Sequence, residues 1–163
     1  MKSNEPQHIA WKIGLGIGLC CSLAMVVRYF LNRVDYTVFD SPDLPGSGAC
    51  INPNLLKKLQ QLQRKTGFPV MDWINSGARS PAHNRKVGGV SNSAHLMPHC
   101  YAVDIHVPNH HVRQALVKAA KEVGFTRMGV ANTFLHLDVD PTKKQYVAWG
   151  YPAGSPPPIN PFV

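Results

Sequence analysis

Apolar positions are unevenly spread along this chain, and their spacing sets out its elements. Residues 13–27 (IGLGIGLCCSLAMVV) carry no charge, and Trp11, Tyr29, Phe30 and Leu31 extend the run. A membrane-crossing helix needs ~20 such residues, with ~17 at the low end, so residues 13–31 read as a transmembrane anchor. Lys12 and Arg28 would snorkel to the headgroups. Gly14, Gly16 and Gly18 leave a small-residue face suited to packing another helix. The alternative is a cleaved signal peptide, since Ser22 and Ala24 form a small-x-small pattern. Aromatic and apolar residues past Ala24 favour the anchor. Residues 1–12 form a short polar tail. Lys2 and Lys12 on one side balance Arg28 and Arg33 on the other, which leaves the orientation open.

Past the anchor, Pro42, Pro45, Gly46 and Gly48 mark residues 32–49 as a linker. The pattern then turns helical. Asn52 reads as an N-cap, with Pro53 at the first helical position, where a missing N–H costs nothing. Leu55, Leu56, Leu59 and Leu62 follow at helical spacing, and Gly67 is the C-cap. Residues 68–75 read as a strand. Ser80 and Pro81 open a short helix that ends near Gly88 and Gly89. Residues 101–107 alternate, so Asp104 and His106 share a face. After Pro108, Asn109 caps a helix whose Val112, Leu116, Ala119 and Val123 form an apolar stripe closed by Gly124. Residues 126–131 and 133–139 read as two strands around Asn132, with His136 and Asp138 on one face of the second. Trp149 and Tyr151 end the domain, Trp149 being expected in the core rather than in a cleft wall. Residues 152–163 are a Pro-rich tail expected to be extended. This order of elements predicts one α+β domain over residues 50–151.

The chain has 163 residues, enough for one domain with a core. Its net charge of +8 suits nucleic acid, anionic lipid or an acidic cell-wall polymer. The basic residues are scattered, with no interleaved basic–aromatic run, so no nucleic-acid partner is expected. With 44% hydrophobic and 16% charged residues, wholesale disorder is not expected. Cys20 and Cys21 fall in the apolar run and read as small hydrophobes. An oxidising compartment would allow Cys50 and Cys100 to pair, although nothing in the sequence brings them together. Cys100 has no CxxC partner and is not expected to bind metal.

Candidate chemistry concentrates in residues 76–104 (SGARSPAHNRKVGGVSNSAHLMPHCYAVD) and 133–138 (TFLHLD). These stretches resemble the M15 family of zinc peptidases, the D-Ala-D-Ala carboxypeptidases and related murein endopeptidases. The likeness is to a small phage and bacterial subgroup that reads SGxRSPxxN, VGGVxNSxH, AxDI and FxHxD. Those motifs fall here at 76–84, 87–95, 102–105 and 134–138, and FDSPDLPGSG (39–48) resembles the start of that subgroup's domain. The resemblance spans roughly residues 39–151. It implies a small antiparallel sheet with helices packed on one face, a fold shared with Hedgehog signalling domains, and a zinc ion at the sheet's open edge. It also implies His95, Asp104 and His136 as the zinc ligands. Three protein ligands and an open fourth position are the catalytic arrangement, not the structural one. Two imidazoles and one carboxylate leave Zn2+ with one net positive charge, which would lower the pKa of a bound water to roughly 7.

Relatives read HxxGxAxD between the first two ligands, whereas HLMPHCYAVD here is two residues longer and lacks the glycine. Either the loop bulges and His95 still binds, or the ligand slips to His99. The SNSAH run before and the AVDI run after favour His95. A helical pair of His95 and His99 fails, because Pro98 disfavours the helix and no glutamate follows His95. The general base stays open. Some relatives carry Glu or Asp three residues before the last histidine, or His two before it, where Thr133 and Phe134 stand here. Asp138 is the remaining candidate, balanced against a role in orienting a ligand imidazole, and His106 is a second candidate. By resemblance, Arg79 would bind the substrate's carboxylate or steady the oxyanion. Ser93 and Asn84 are expected to fix loop geometry, and Gly88 and Gly89 to allow the turn toward His95.

The combined expectation is a membrane-anchored zinc peptidase, a carboxypeptidase or endopeptidase cutting peptidoglycan stem peptides or cross-bridges. Phage entry, lysis and cell-wall maintenance all suit it. The domain would face the periplasm or the outside, or sit in a viral membrane beside virion or membrane-protein partners. Two other classes stay open: a catalytically silent zinc-binding module, and a structural virion membrane protein.

Overall fold

The computed structural model describes residues 34–163. The expected anchor at 13–31 lies outside the described residues, and among them no helix is long and apolar enough to cross a membrane. Three helices start where capping chemistry placed them. Helix α1 (Pro53–Thr66) begins at Asn52, whose side chain accepts from the N–H groups of Asn54 and Leu55, and ends at Gly67 with a left-handed φ of 71°. Helix α2 (Pro81–Lys86) begins at Ser80, whose hydroxyl accepts from the His83 N–H. Helix α3 (His110–Glu122) begins at Asn109, which accepts from the Val112 N–H.

Five strands form one sheet: β1 (Ile74–Ser76), β2 (Ala102–His106), β3 (Arg127–Val130), β4 (Phe134–Asp138) and β5 (Val147–Gly150), in the order β1-β2-β4-β3-β5. The first three pairings are antiparallel, as expected, but β5 runs parallel to β3. The chain reverses once after β4, so its next strand is antiparallel to β4 and parallel to β3, whose outer edge was free. The strand expected over 68–75 shrinks to Ile74–Ser76. Pro69 cannot donate to a ladder, and the carbonyls of Pro69 and Val70 instead accept from the Trp73 N–H in a turn.

Alternation sorts the strand residues. Val103, Ile105, Met128, Val130, Leu135 and Leu137 are buried together with Leu55, Leu59 and Leu62 of α1 and Leu116, Val117 and Ala120 of α3. The helices therefore cover one face. The other carries Asp104, His106, Arg127, Gly129, Phe134, His136 and Asp138.

The stretch read as a linker is packed from Tyr36 onward. Two 3-10 turns, Tyr36–Phe39 and Ser47–Cys50, bracket it. Phe39 is fully buried, and its carbonyl accepts from the Ala78 N–H. Asp40 accepts from the Gly46 and Gly48 N–H groups, while Asp43 accepts from the Ser41 and Ser80 hydroxyls. Side chains thus satisfy a loop that has no ladder of its own. The tail, expected to be extended, folds back instead. Gly150 N–H donates to Ser155, Lys121 reaches the Pro161 carbonyl at 2.5 Å, and Phe162 meets Tyr146 edge-on. Cys50 and Cys100 form a disulfide, with Cα atoms 5.7 Å apart.

Candidate metal centre

Strand register brings the site together. Ser76, Asp104, His136, Gly129 and Trp149 are successive partners across the five strands. Directly opposed residues point to the same face, so one row across the sheet carries two of the candidate ligands. The third, His95, arrives on the loop after α2. That loop is fixed by backbone bonds on both sides of the ligand: Arg79 N–H donates to the His95 carbonyl at 2.8 Å, and Met97 N–H donates to the Arg79 carbonyl at 3.1 Å. The extra residues bulge, with Cys100 N–H on the Leu96 carbonyl and Tyr101 N–H on the Ala94 carbonyl. His99 is exposed and stacks on Tyr101. The structure therefore brings His95, not His99, to Asp104 and His136. The triad lies over the interior strands β2 and β4, not at the sheet's open edge.

Three donor atoms converge. His95 Nε2 is 3.2 Å from His136 Nδ1 and 3.3 Å from Asp104 Oδ1, and His136 Nδ1 is 2.8 Å from Asp104 Oδ1. Tetrahedral zinc with bonds of ~2.0–2.1 Å has ligand atoms ~3.3 Å apart, so the set fits that ion. Every other polar atom of the triad is held from behind. His95 Nδ1–H donates to the Gly77 carbonyl at 2.7 Å, which leaves Nε2 as the lone-pair atom. His136 Nε2–H donates to Asp138 Oδ2 at 3.2 Å, which leaves Nδ1. Asp104 Oδ2 accepts from Arg79 Nη2 at 2.6 Å, and Arg79 Nε donates to Ser76 Oγ. Such outer partners fix the tautomer and aim the ligand.

Asp138 is 1% exposed. Its Oδ1 accepts from Arg127 Nε at 2.8 Å and from the Asp140 N–H, so both carboxylate oxygens are engaged. Arg127 also donates to the Lys144 carbonyl. Of the two base candidates, His106 stands outside the cleft, exposed and edge-on to Trp73. Arg79 lines the cleft, but two of its nitrogens are committed to Asp104 and Ser76. Trp149, expected in the core, is half-buried and forms a cleft wall. Its ring lies 5.3 Å from the His136 ring and 5.3 Å from the Arg127 guanidinium. Arg127 and Tyr151 escaped sequence reasoning as site residues. The available signal was that Arg127 shares the strand face of Gly129.

Burial opposes charge on His136, yet its hydrogen bonds to Asp104 and Asp138 outweigh that and lift its pKa to about 9. Burial holds His95 below the usual histidine range, against the pull of Asp104. Burial also works against the Asp104 charge, but His95 and His136 hold its carboxyl well below the usual range. At neutral pH the metal-free site thus carries one proton, on His136, that an incoming cation must displace. Metal affinity should rise about tenfold per pH unit up to about 9 and flatten above it. Competition titrations with a buffered zinc chelator between pH 6 and 8 check this; a flat profile would show that no proton is displaced.

The three candidate ligands line a cleft of about 480 Å3. A family model described as Peptidase M15 matches residues 32–138. No curated protein and no solved structure matches. The matched span takes in His95, Asp104, His136 and Asp138 and stops before β5. The chain belongs to the M15 peptidase family.

Proposed function

We propose that the protein is a zinc-dependent peptidase that hydrolyses peptide bonds of bacterial peptidoglycan, held at a membrane by residues 13–31. The observation that carries this reading is the triangle of three donor atoms with spacings of 2.8, 3.2 and 3.3 Å, set in the wall of an open cleft. A zinc ion held by three protein ligands supplies a Lewis acid that polarises a carbonyl and makes water nucleophilic near neutral pH. His95 and His136 present neutral lone pairs, and Asp104 adds the negative charge. Arg79 steadies Asp104 from behind and also faces the cleft, where the resemblance would have it meet the substrate. Around the triad, Arg79 and Lys143 supply positive charge, and Val87, Val90, Trp149 and Tyr151 supply apolar walls. That lining suits a short peptide bearing carboxylates, as peptidoglycan stems do. The disulfide fits an oxidising compartment, which is where peptidoglycan lies. Phage entry, lysis and wall remodelling are roles consistent with such an enzyme.

In this reading Asp138 is a positioning residue, not the base. Asp138→Asn should weaken zinc binding by ~10–100-fold, the usual effect of losing an outer-shell partner. Zinc affinity and turnover per bound zinc, measured together, check this. Unchanged affinity with collapsed turnover would return Asp138 to the role of base.

The commitment of Asp138, with Thr133 and Phe134 at the family's base positions, favours a second reading, a zinc-binding module without turnover. Sacculi digested with zinc-loaded full-length protein and analysed by mass spectrometry separate the two. New peptide ends that vanish with chelator are expected. Intact stems throughout would leave the binding module.

A further inference from the structure

Gly129 lies within β3, opposite His136 on one side and Trp149 on the other. Glycine weakens a strand interior and often marks a close approach to the backbone. Here a Cβ at 129 would lie 2.6 Å from the Tyr151 hydroxyl and 2.7 Å from Trp149 Nε1. The absent side chain opens a slot on the site face, one strand away from a ligand, and the polar ends of a phenol and an indole fill it. The two polar atoms thus meet beside the same point of the β3 backbone. An indole nitrogen can only donate, so a Trp149 N–H turned to the phenol oxygen would leave the phenol's own proton for another acceptor. Phe134 packs on the Tyr151 ring at 4.7 Å, and both rings line the cleft with the triad. Burial pushes the Tyr151 hydroxyl up to about 12, which makes it a lasting neutral donor and a poor base.

We propose, resting on the peptidase reading above, that Tyr151 is a catalytic residue whose O–H, aimed by Trp149, donates to the scissile carbonyl oxygen as that oxygen becomes an anion. A water oxygen bonds to the carbonyl carbon, and the C=O electron pair moves onto oxygen. The pair then returns, the C–N bond breaks, and the amine leaves carrying a proton that came from the water. Tyr151 keeps its proton throughout. Trp149 acts through it, as a positioning residue.

Zinc-loaded full-length protein and its Tyr151→Phe variant are to be compared on the muropeptides that the wild type cuts, with kcat expressed per bound zinc. Removing one such donor lowers kcat by ~10²–10³-fold, so a loss of about 100-fold is expected, with KM and zinc content unchanged. Trp149→Phe keeps the wall but loses the N–H. A smaller fall in kcat is expected there, with no further fall when it is combined with Tyr151→Phe. A Tyr151→Phe enzyme as fast as wild type overturns the inference and leaves the peptidase reading intact. A wild type that cuts nothing overturns the peptidase reading, and this role with it.

Discussion

Replacing Asp104 with Asn is expected to empty the metal centre while leaving the backbone in place. The amide has the shape of the carboxylate but neither its charge nor its affinity for zinc, and it stands at two of the three edges of the donor triangle. Outer-shell losses already cost ~10–100-fold in affinity, and the loss of a ligand should exceed that. The metal-free fold suffers too. The Asp104 side chain is 14% exposed and pairs with both Arg79 and His136. Removing one partner from such a buried cluster costs about 3–5 kcal/mol, out of a total stability of ~5–15 kcal/mol. Elemental analysis after dialysis and melting curves with and without zinc check both effects. The wild type should melt higher with zinc, because binding to the folded state alone stabilises it, and the variant should not. One zinc per chain retained in Asp104→Asn would refute the ligand set.

Reducing the Cys50–Cys100 bond, or replacing both cysteines with serine, should cost about 4 kcal/mol, the chain-entropy value for a loop of this length. The bridge joins positions 50 residues apart. It also acts locally. Cys100 falls between two candidate ligands, in the bulge that follows His95, and its carbonyl accepts from Asn52 N–H at the start of α1. Without the bridge, that single hydrogen bond ties the bulge to α1. Denaturant midpoints with and without reductant measure the global cost, and zinc affinity under the same conditions measures the local one. A midpoint that ignores reductant would mean that the thiols are not joined.

Local chemistry was legible. Asn52 with Pro53, Ser80 with Pro81, and Asn109 each announce a helix start within a few residues, and the structure has all three. Alternation put His136 and Asp138 on one face for the same reason. Motif order named His95, Asp104 and His136 before any register was known. Long-range partners were hidden. Nothing within residues 147–150 says that they will lie beside β3, because that pairing is set by where the hairpin's free edge ends up. Arg127 gives no local sign that its partner is Asp138. The 36–49 segment is rich in Pro and Gly, which reads as a linker, yet Asp40 and Asp43 satisfy its polar groups well enough to pack it. Arg79 was identified by motif, but the carboxylate 2.6 Å behind it shows only in the geometry.

The side-by-side row of Ser76, Asp104, His136, Gly129 and Trp149 makes correct assembly all-or-none. Slipping β4 by one residue would turn Leu135 and Leu137 toward water and drive His136 into the oil. On the proposed ligand set, a molecule that captures the ion would have aligned its strands properly. In a refolded mixture, ion capture would count the properly aligned molecules, whereas helix content would also count the misaligned ones.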